Sequence, residues 1–519
     1  MDIIIENARI IDGTGSPWFR GWVAVEDGTI TRVSRQSHTI PGAIDSIDID
    51  GSFLCPGFID THSHSDLQVF ADPLLEPKVR QGITTEIVGQ DGFSAGPIYA
   101  DSKQEWEDHL SGMNGRLKSD WRWDSLGTYL DAVEEAGCGP NIATLVGHGT
   151  VRYETLGMTD RKPTEAELDE MASLVTDALE AGAIGFSTGL VYPPQVHSTT
   201  HEVQTLAARL APFDRPFVAH IRNEAADIWN ALEEFVRIGA EESIPIHLSH
   251  FKLAFAPQHG KANRAINILE AARERGVDIT ADQYPYTAGS TMLGEVLPSW
   301  VHVNGPEAVL DSLQTKTDRE RLRAHLEARP DDWEKVTVTS VATEKNEAFV
   351  GETIADIARA RETSPETAIM DLLLEERLEV GKITRFLHED DVQEILRYSG
   401  ACIATDGMFG GNPHPRTYGT YPRVLARYAR TKNLLRFEKA VRLMTALPAR
   451  AMGLHWKGLI RPGMDADLVV FDPTTVRSNA TFEHPRQYPD GISHVIINGS
   501  FVVRDETVTG SLPGSIIRA

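Results

Sequence analysis

His62 and His64 are the first residues along the chain whose type and spacing suit catalytic chemistry, in Pro56-Gly57-Phe58-Ile59-Asp60-Thr61-His62-Ser63-His64-Ser65-Asp66. Residues 58–62 read as a short buried strand, and a strand points positions i and i+2 to one face, so the two imidazoles converge. Neutral imidazoles held together suit a divalent transition metal such as zinc. Taken alone, His-x-His fits a pair of loop histidines equally well, and the other polar residues have to decide.

They fall in a pattern. His148 follows an apolar run in Val146-Gly147-His148-Gly149, His220 ends Val218-Ala219-His220, and His250 ends His247-Leu248-Ser249-His250. Asp406 ends Ile403-Ala404-Thr405-Asp406. Histidines and an aspartate at the same end of different strands resemble a metal site far better than scattered placement would. Zinc lowers the pKa of bound water to about 7 and polarises a carbonyl, so the site reads as metal-assisted hydrolysis. Asp406 has the position of a general base that later acts as acid. His247 is at odd spacing from His250 and reads as structural.

The elements that must carry these residues alternate short apolar strands with amphipathic helices, which predicts parallel βα units and an α/β class. Candidate strands are 58–62, 84–88, 142–146, 184–187, 217–220, 246–249, 278–281 and 401–405. Eight is the number that closes a TIM-type (β/α)8 barrel. Thr164 with Glu167 predicts a capped helix whose Leu168, Met171, Leu174, Val175 and Leu179 share a face. Both ends of the chain are β-rich, with Asn498-Gly499 a hairpin signal, which suggests a small β-sandwich from residues 1–55 plus 455–519. Residues 56–454 form the barrel domain on this reading. Residues of about 290–400 are an inserted subdomain before the last barrel strand, either a lid over the strand ends or a peripheral decoration.

With 75 acidic and 50 basic residues the chain carries a formal charge of −25, which disfavours nucleic acid and anionic membranes as partners. No apolar run approaches the ~18 residues of a bilayer span, and the start lacks a signal peptide's basic and apolar regions. Three cysteines among 519 residues make no disulfide framework, so a reduced, cytoplasmic protein is expected. A homo-oligomer is compatible with this composition.

These residues resemble the amidohydrolase superfamily over nearly the whole chain, and within it the D-aminoacylases, or N-acyl-D-amino-acid deacylases. The matching stretches include Ser187-Thr188-Gly189-Leu190-Val191-Tyr192-Pro193-Pro194, Tyr284-Pro285-Tyr286-Thr287-Ala288-Gly289-Ser290-Thr291 and His414-Pro415-Arg416. The resemblance implies a barrel with a terminal β-sandwich and one or two zinc ions. His220 and His250 would hold the tighter ion, His62 and His64 the second, and Asp406 would be base and acid. Lys252, Tyr284, Ser290 and Arg416 match positions that bind a substrate carboxylate, and Tyr192 joins them in the substrate site. The implied reaction is amide hydrolysis of a small carboxylate-bearing N-acyl-D-amino acid.

At one point the chain departs from the family. In Ile87-Val88-Gly89-Gln90-Asp91-Gly92, Asp91 takes the position of a zinc-ligating cysteine. Other superfamily members bridge their metals with a carboxylated lysine on the fourth strand, and Ile184-Gly185-Phe186-Ser187-Thr188 has none. Asp91 is therefore expected to ligate or bridge metal, unless it only caps the Gly-rich turn. An oxygen donor is harder than thiolate and admits other divalent ions, such as manganese. Two alternatives stay open: hydrolysis of a cyclic amide or N-carbamoyl compound, as in hydantoinases and dihydroorotases, and a non-catalytic scaffold.

Overall fold

Short runs of β-branched and apolar residues, buried along their whole length, form two parallel sheets in this computed structural model, which describes residues 2–35, 44–114 and 121–519. Residues 36–43 of the expected N-terminal β segment lie outside the described residues. One sheet joins Phe58–Asp60, Ile83–Val88 and Asn141–Thr144. The other runs Val146–Gly147, Phe186–Gly189, Phe217–His220, Ile246–Leu248, Ile279–Gln283 and Ala401–Ile403. They abut on both sides. Only Leu145 separates Thr144 from Val146, and its N–H donates to the Val88 carbonyl at 3.0 Å. Opposite, Ser63 bridges Gly407 and the Asp406 N–H donates to the His62 carbonyl at 2.8 Å.

Period-two alternation sorts these strands onto two cores. Ile59, Ile87, Ala143, Leu145, Ile184 and Val218 pack together with Ala449, Met452 and Leu454. Their neighbours Val88, Ile142, Val146, Phe186, Phe217 and Ile246 face the helices, meeting Leu168, Met171 and Val175 of Glu165–Glu180 and Leu232 and Phe235 of Ile228–Glu242. Full burial of one such side chain stabilises by about 1.5–3 kcal/mol. The expected cap is present: the Thr164 hydroxyl accepts from the Glu167 N–H, and the Glu167 carboxylate accepts from the Thr164 N–H at 2.7 Å.

The two ends of the chain meet in one sheet. The strands are joined by hydrogen bonds in one continuous nine-stranded sheet. Phe53–Pro56 is the join: it runs parallel to Ile3–Ile10 and antiparallel to Leu468–Phe471, so neither half ends at it. Leu468 and Val470 face a core with Ile3, Ile5 and Val25, while Val469 and Phe471 face one with Val441 and Met444. Asn498 and Gly499 both adopt positive φ, 47° and 77°, as a two-residue hairpin turn requires.

The long segment after Ile279–Gln283 has its own core. Gly289–Met292, Gly381–Thr384 and Val336–Ser340 make an antiparallel three-stranded sheet in that order. Leu293, Val296, Leu313, Leu326, Ile369 and Leu373 pack beside it. Among the described residues no helix is long and apolar enough to cross a membrane.

Candidate active site

The strand ends deliver six of the expected residues to one point. Phe58–Asp60 stops earlier than expected, so His62 and His64 sit just past it, held by the Ser63–Gly407 bridge. Their Nε2 atoms lie 3.7 and 3.3 Å from Asp406 Oδ1. Asp91 Oδ1 is 3.6 Å from His62 Nε2, 3.6 Å from His220 Nδ1 and 3.4 Å from His250 Nε2. Its other oxygen is 3.7 Å from His64 Nε2. One carboxylate thus faces all four imidazoles.

These separations are long for hydrogen bonds but suit a shared ion. Two ligands each ~2.0–2.1 Å from a tetrahedral ion stand about 3.4 Å apart. Both ring nitrogens of His62, Nδ1 of His220 and Oδ1 of Asp91 are buried with no hydrogen-bond partner. Buried polar atoms are rarely left so, and a cation answers the need. The residues therefore fit one or two divalent ions, grouped as His62, His64 and Asp406; His62, Asp91 and His250; and His220, Glu224 and His250.

Burial opposes charge on Asp91, yet His62 and His250 hold its carboxyl well below the usual range. For Asp406, burial is likewise outweighed, by the Arg416 guanidinium 2.9 Å from Oδ2 and by His62. Both stay ionised. Asp91, His250 and Asp406 also share a backbone in the left-handed region, at φ 56°, 34° and 49°. Such conformations cost of order 1–3 kcal/mol each and persist where surroundings impose them. Around Asp91 the surroundings are visible: its carbonyl accepts from Gln195 Nε2 at 2.7 Å, and a Cβ on Gly92 would lie 2.1 Å from Gln195 Oε1.

Sequence reasoning missed two carboxylates. Glu224, four residues after His220, lies 3.1 Å from His250 Nδ1 and takes a 2.6 Å bond from Lys252 Nζ. Burial opposes its charge, but Lys252 and the histidines bring its carboxyl down to about 2. The His-x-x-x-Glu spacing was a signal, but residues 221–227 form neither helix nor strand, so no element's periodicity aims Glu224 at the site. Asp282, inside Ile279–Gln283, accepts from the His250 N–H at 2.5 Å, the Thr61 hydroxyl at 3.0 Å and pairs with His247 Nε2 at 2.9 Å. A charged residue within an apolar strand was its signal. His247 is bound between Asp282 and Thr280, away from the cluster. His148 is also elsewhere, hydrogen-bonded to Glu202 at 2.9 Å and Thr188 at 3.1 Å, because it opens the helix His148–Leu156 rather than ending a strand into the site.

A cavity of about 400 Å³ opens on the cluster, lined by His64, Asp91, His220, His250 and Asp406 and by all five expected substrate residues. Arg416 is fully buried, stacked 4.6 Å over the Tyr284 ring and bonded to the Ser290 carbonyl at 3.1 Å. The Tyr284 hydroxyl is buried without a partner. Lys252 is engaged by Glu224 and His250 Nδ1, the latter at 2.7 Å. Tyr192 packs edge-on against His220 and its hydroxyl meets Thr291 at 3.0 Å.

Residues 45–503 of this mixed α/β chain match the amidohydrolase family model, and the chain belongs to that family. It is 33% identical to the D-aminoacylase of Alcaligenes xylosoxydans xylosoxydans, covering 99% of this chain and 97% of that one. Against the N-acyl-D-aspartate deacylase of the same organism it is 33% identical over 99% and 95%. The solved N-acyl-D-glutamate deacylase of Bordetella bronchiseptica, complexed with zinc and a phosphonate mimic of the tetrahedral intermediate, superposes with a TM-score of 0.86 at 32% identity, covering all of both chains.

Proposed function

We propose that this chain is a zinc-dependent hydrolase that cleaves the amide bond of N-acyl-D-amino acids, giving a carboxylate and the free D-amino acid. The observation that carries it is the cluster of Asp91, His62, His64, His220 and His250 beside Asp406, opening on a cavity with Arg416 and a bare Tyr284 hydroxyl. Whole-length similarity to three deacylases of D-amino acids supports the choice of substrate.

His62, His64, Asp91, His220 and His250 would hold the metal, which, when bound, polarises a carbonyl and eases deprotonation of water. The chain's own groups do the rest. Asp406 accepts a proton from the attacking water at Oδ1 and returns it to the leaving amide nitrogen as the C–N bond breaks. Arg416 at Oδ2 keeps Asp406 ionised. The other face of Arg416, with the Tyr284 hydroxyl and Ser290, grips the substrate carboxylate. Glu224 and Lys252, both at His250 Nδ1, orient that imidazole so that Nε2 is the nitrogen facing the proposed metal site.

The expected barrel follows on the same reading. The two parallel sheets abut at Leu145 and at Ser63–Gly407 around a shared apolar core, and with 141–144 and 146–147 taken as one strand interrupted at Leu145 they supply the eight strands of a (β/α)8 barrel. Residues 56–454 form it, the terminal sheet from 1–55 and 455–519 is a second domain, and the insertion at about 290–400 is a lid that contributes Ser290 to the cavity. Three free, buried cysteines support a reducing, cytoplasmic setting.

Zinc-loaded protein incubated with N-acetyl-D- and N-acetyl-L-amino acids tests the reaction. Release of the D-amino acid alone is expected; equal turnover of both isomers, or turnover only of hydantoins, overturns it.

A further inference from the structure

The outer wall of the cavity carries a second group of charges that the reaction does not use. Glu295, in the turn Leu293–Val296, directs Oε2 to Lys382 Nζ at 3.0 Å and Oε1 to Arg329 Nη2 at 3.4 Å. Arg329 is steadied by Asp331, whose Oδ2 accepts from Nε at 2.7 Å. Lys382 is also bonded to the Thr384 hydroxyl at 3.3 Å. All five residues line the cavity. A carboxylate gripped by one lysine and one arginine is the arrangement in which a protein binds an acidic ligand. Here the protein's own side chain fills it.

Its place relative to the reacting end is fixed by strand pairing. Gly289–Met292 pairs with Gly381–Thr384 so that Thr291 faces Lys382 and Ser290 faces Ile383. Ser290 is in the proposed carboxylate grip, and Arg416 bonds its carbonyl. An amino acid's side chain branches from the carbon that bears its carboxylate, so a substrate held at Ser290 and Arg416 extends its side chain along this wall. Val191, Ala225, Ala226, Ala254, Phe255 and Phe386 add small and apolar surface to the cavity, and its remaining polar lining at Asn223, Glu224 and Thr291 brings no further cation. Lys382 and Arg329 are balanced by Glu295 and Asp331, so an incoming carboxylate side chain meets no spare cation there and meets the Glu295 charge.

We propose that Glu295 determines side-chain specificity by occupying, between Lys382 and Arg329, the position an acidic substrate side chain would take. The enzyme consequently prefers N-acyl-D-amino acids with neutral side chains over the aspartate and glutamate derivatives that two of its relatives are named for. This rests on the N-acyl-D-amino-acid reading above and narrows it.

The test compares kcat/KM for N-acetyl-D-methionine and N-acetyl-D-glutamate in the zinc-loaded protein. Wild type is expected to favour the methionine derivative by about tenfold or more, the worth of one charge-assisted hydrogen bond. Glu295→Ala should shift that ratio toward glutamate by at least about tenfold, and adding Lys382→Ala should cancel the shift. Should Glu295→Ala fold poorly, Glu295→Gln, equal in size but uncharged, should move the ratio in the same direction. A wild-type preference for the glutamate derivative, or a ratio unmoved in the folded variants, overturns the assignment while leaving the deacylase function intact. No turnover of any N-acyl-D-amino acid overturns the function, and this assignment with it.

Discussion

Asp91 offers the proposed metal site two oxygens where a thiolate would offer a single sulfur. Oδ1 reaches toward His62, His220 and His250 while Oδ2 reaches toward His64. Asp91→Ala should therefore lower the metal content of the purified protein by about one equivalent and kcat/KM by about 100-fold or more, the upper range for disturbing a metal's supporting residues. Unchanged metal by elemental analysis would reduce Asp91 to a turn cap. Asp91→Cys should keep zinc but tighten its preference over manganese, measured by competition. For Arg416, charge alone is not the whole role: its planar fork spans Asp406, the Ser290 carbonyl and the Tyr284 face. Arg416→Lys keeps the charge and loses the fork, so KM for an N-acyl-D-amino acid should rise about tenfold.

At the scale of elements, the metal-side loops are pinned from beneath by a buried network. Lys78 Nζ bonds Asp60 Oδ2 at 2.8 Å, Ser63 Oγ at 2.8 Å and Thr405 Oγ1 at 3.0 Å, and lies 3.2 Å from Glu86. Asp60 in turn accepts from the Thr405 N–H at 2.8 Å, tying the loop of His62 to the loop of Asp406. Lys78→Met strands two buried carboxylates and should destabilise the fold by about 3–5 kcal/mol, read from a denaturant midpoint. This network was not legible in the sequence: Asp60 lies in the opening stretch, but nothing there pairs it with Lys78, whose segment has no recognisable motif, and both meet Thr405 only through the closure of the fold. The metal-facing residues were legible for the opposite reason. The His62–His64 pair, His220, His250 and Asp406 each follow an apolar run, so position along a strand already implied a common destination, whereas Asp91 was reached only through the family resemblance. The insertion was legible as a separate segment but not in its pairing: Gly289–Met292 and Gly381–Thr384 find each other across about ninety residues and no local pattern pairs them.

For the molecule as a whole, metal and fold should be linked. Stripping the protein with a chelator should abolish turnover and lower Tm, and adding zinc back should restore both, since a ligand bound only by the native state stabilises it. Acid should act at a separate point. Burial lowers the His109 pKa from its ordinary 6.5 to about 4, outweighing the hydrogen bond to the Pro193 carbonyl, which acts to raise it. The unfolded chain thus takes up this proton near 6.5 and the native one only near 4, so the stabilisation is present above 6.5 and lost as pH falls between the two. A urea midpoint that drops from pH 7 to pH 5 in wild type, and drops less in His109→Gln, is the expected result. The single sheet made from both ends of the chain also sets a schedule. Phe53–Pro56 cannot pair with Leu468–Phe471 until some four hundred further residues have been made. At a synthesis rate of about 5–20 residues per second, that edge waits on the order of 20–80 s, open to any passing strand. Whatever shields it during that interval is as much a requirement for making this enzyme as zinc is for running it.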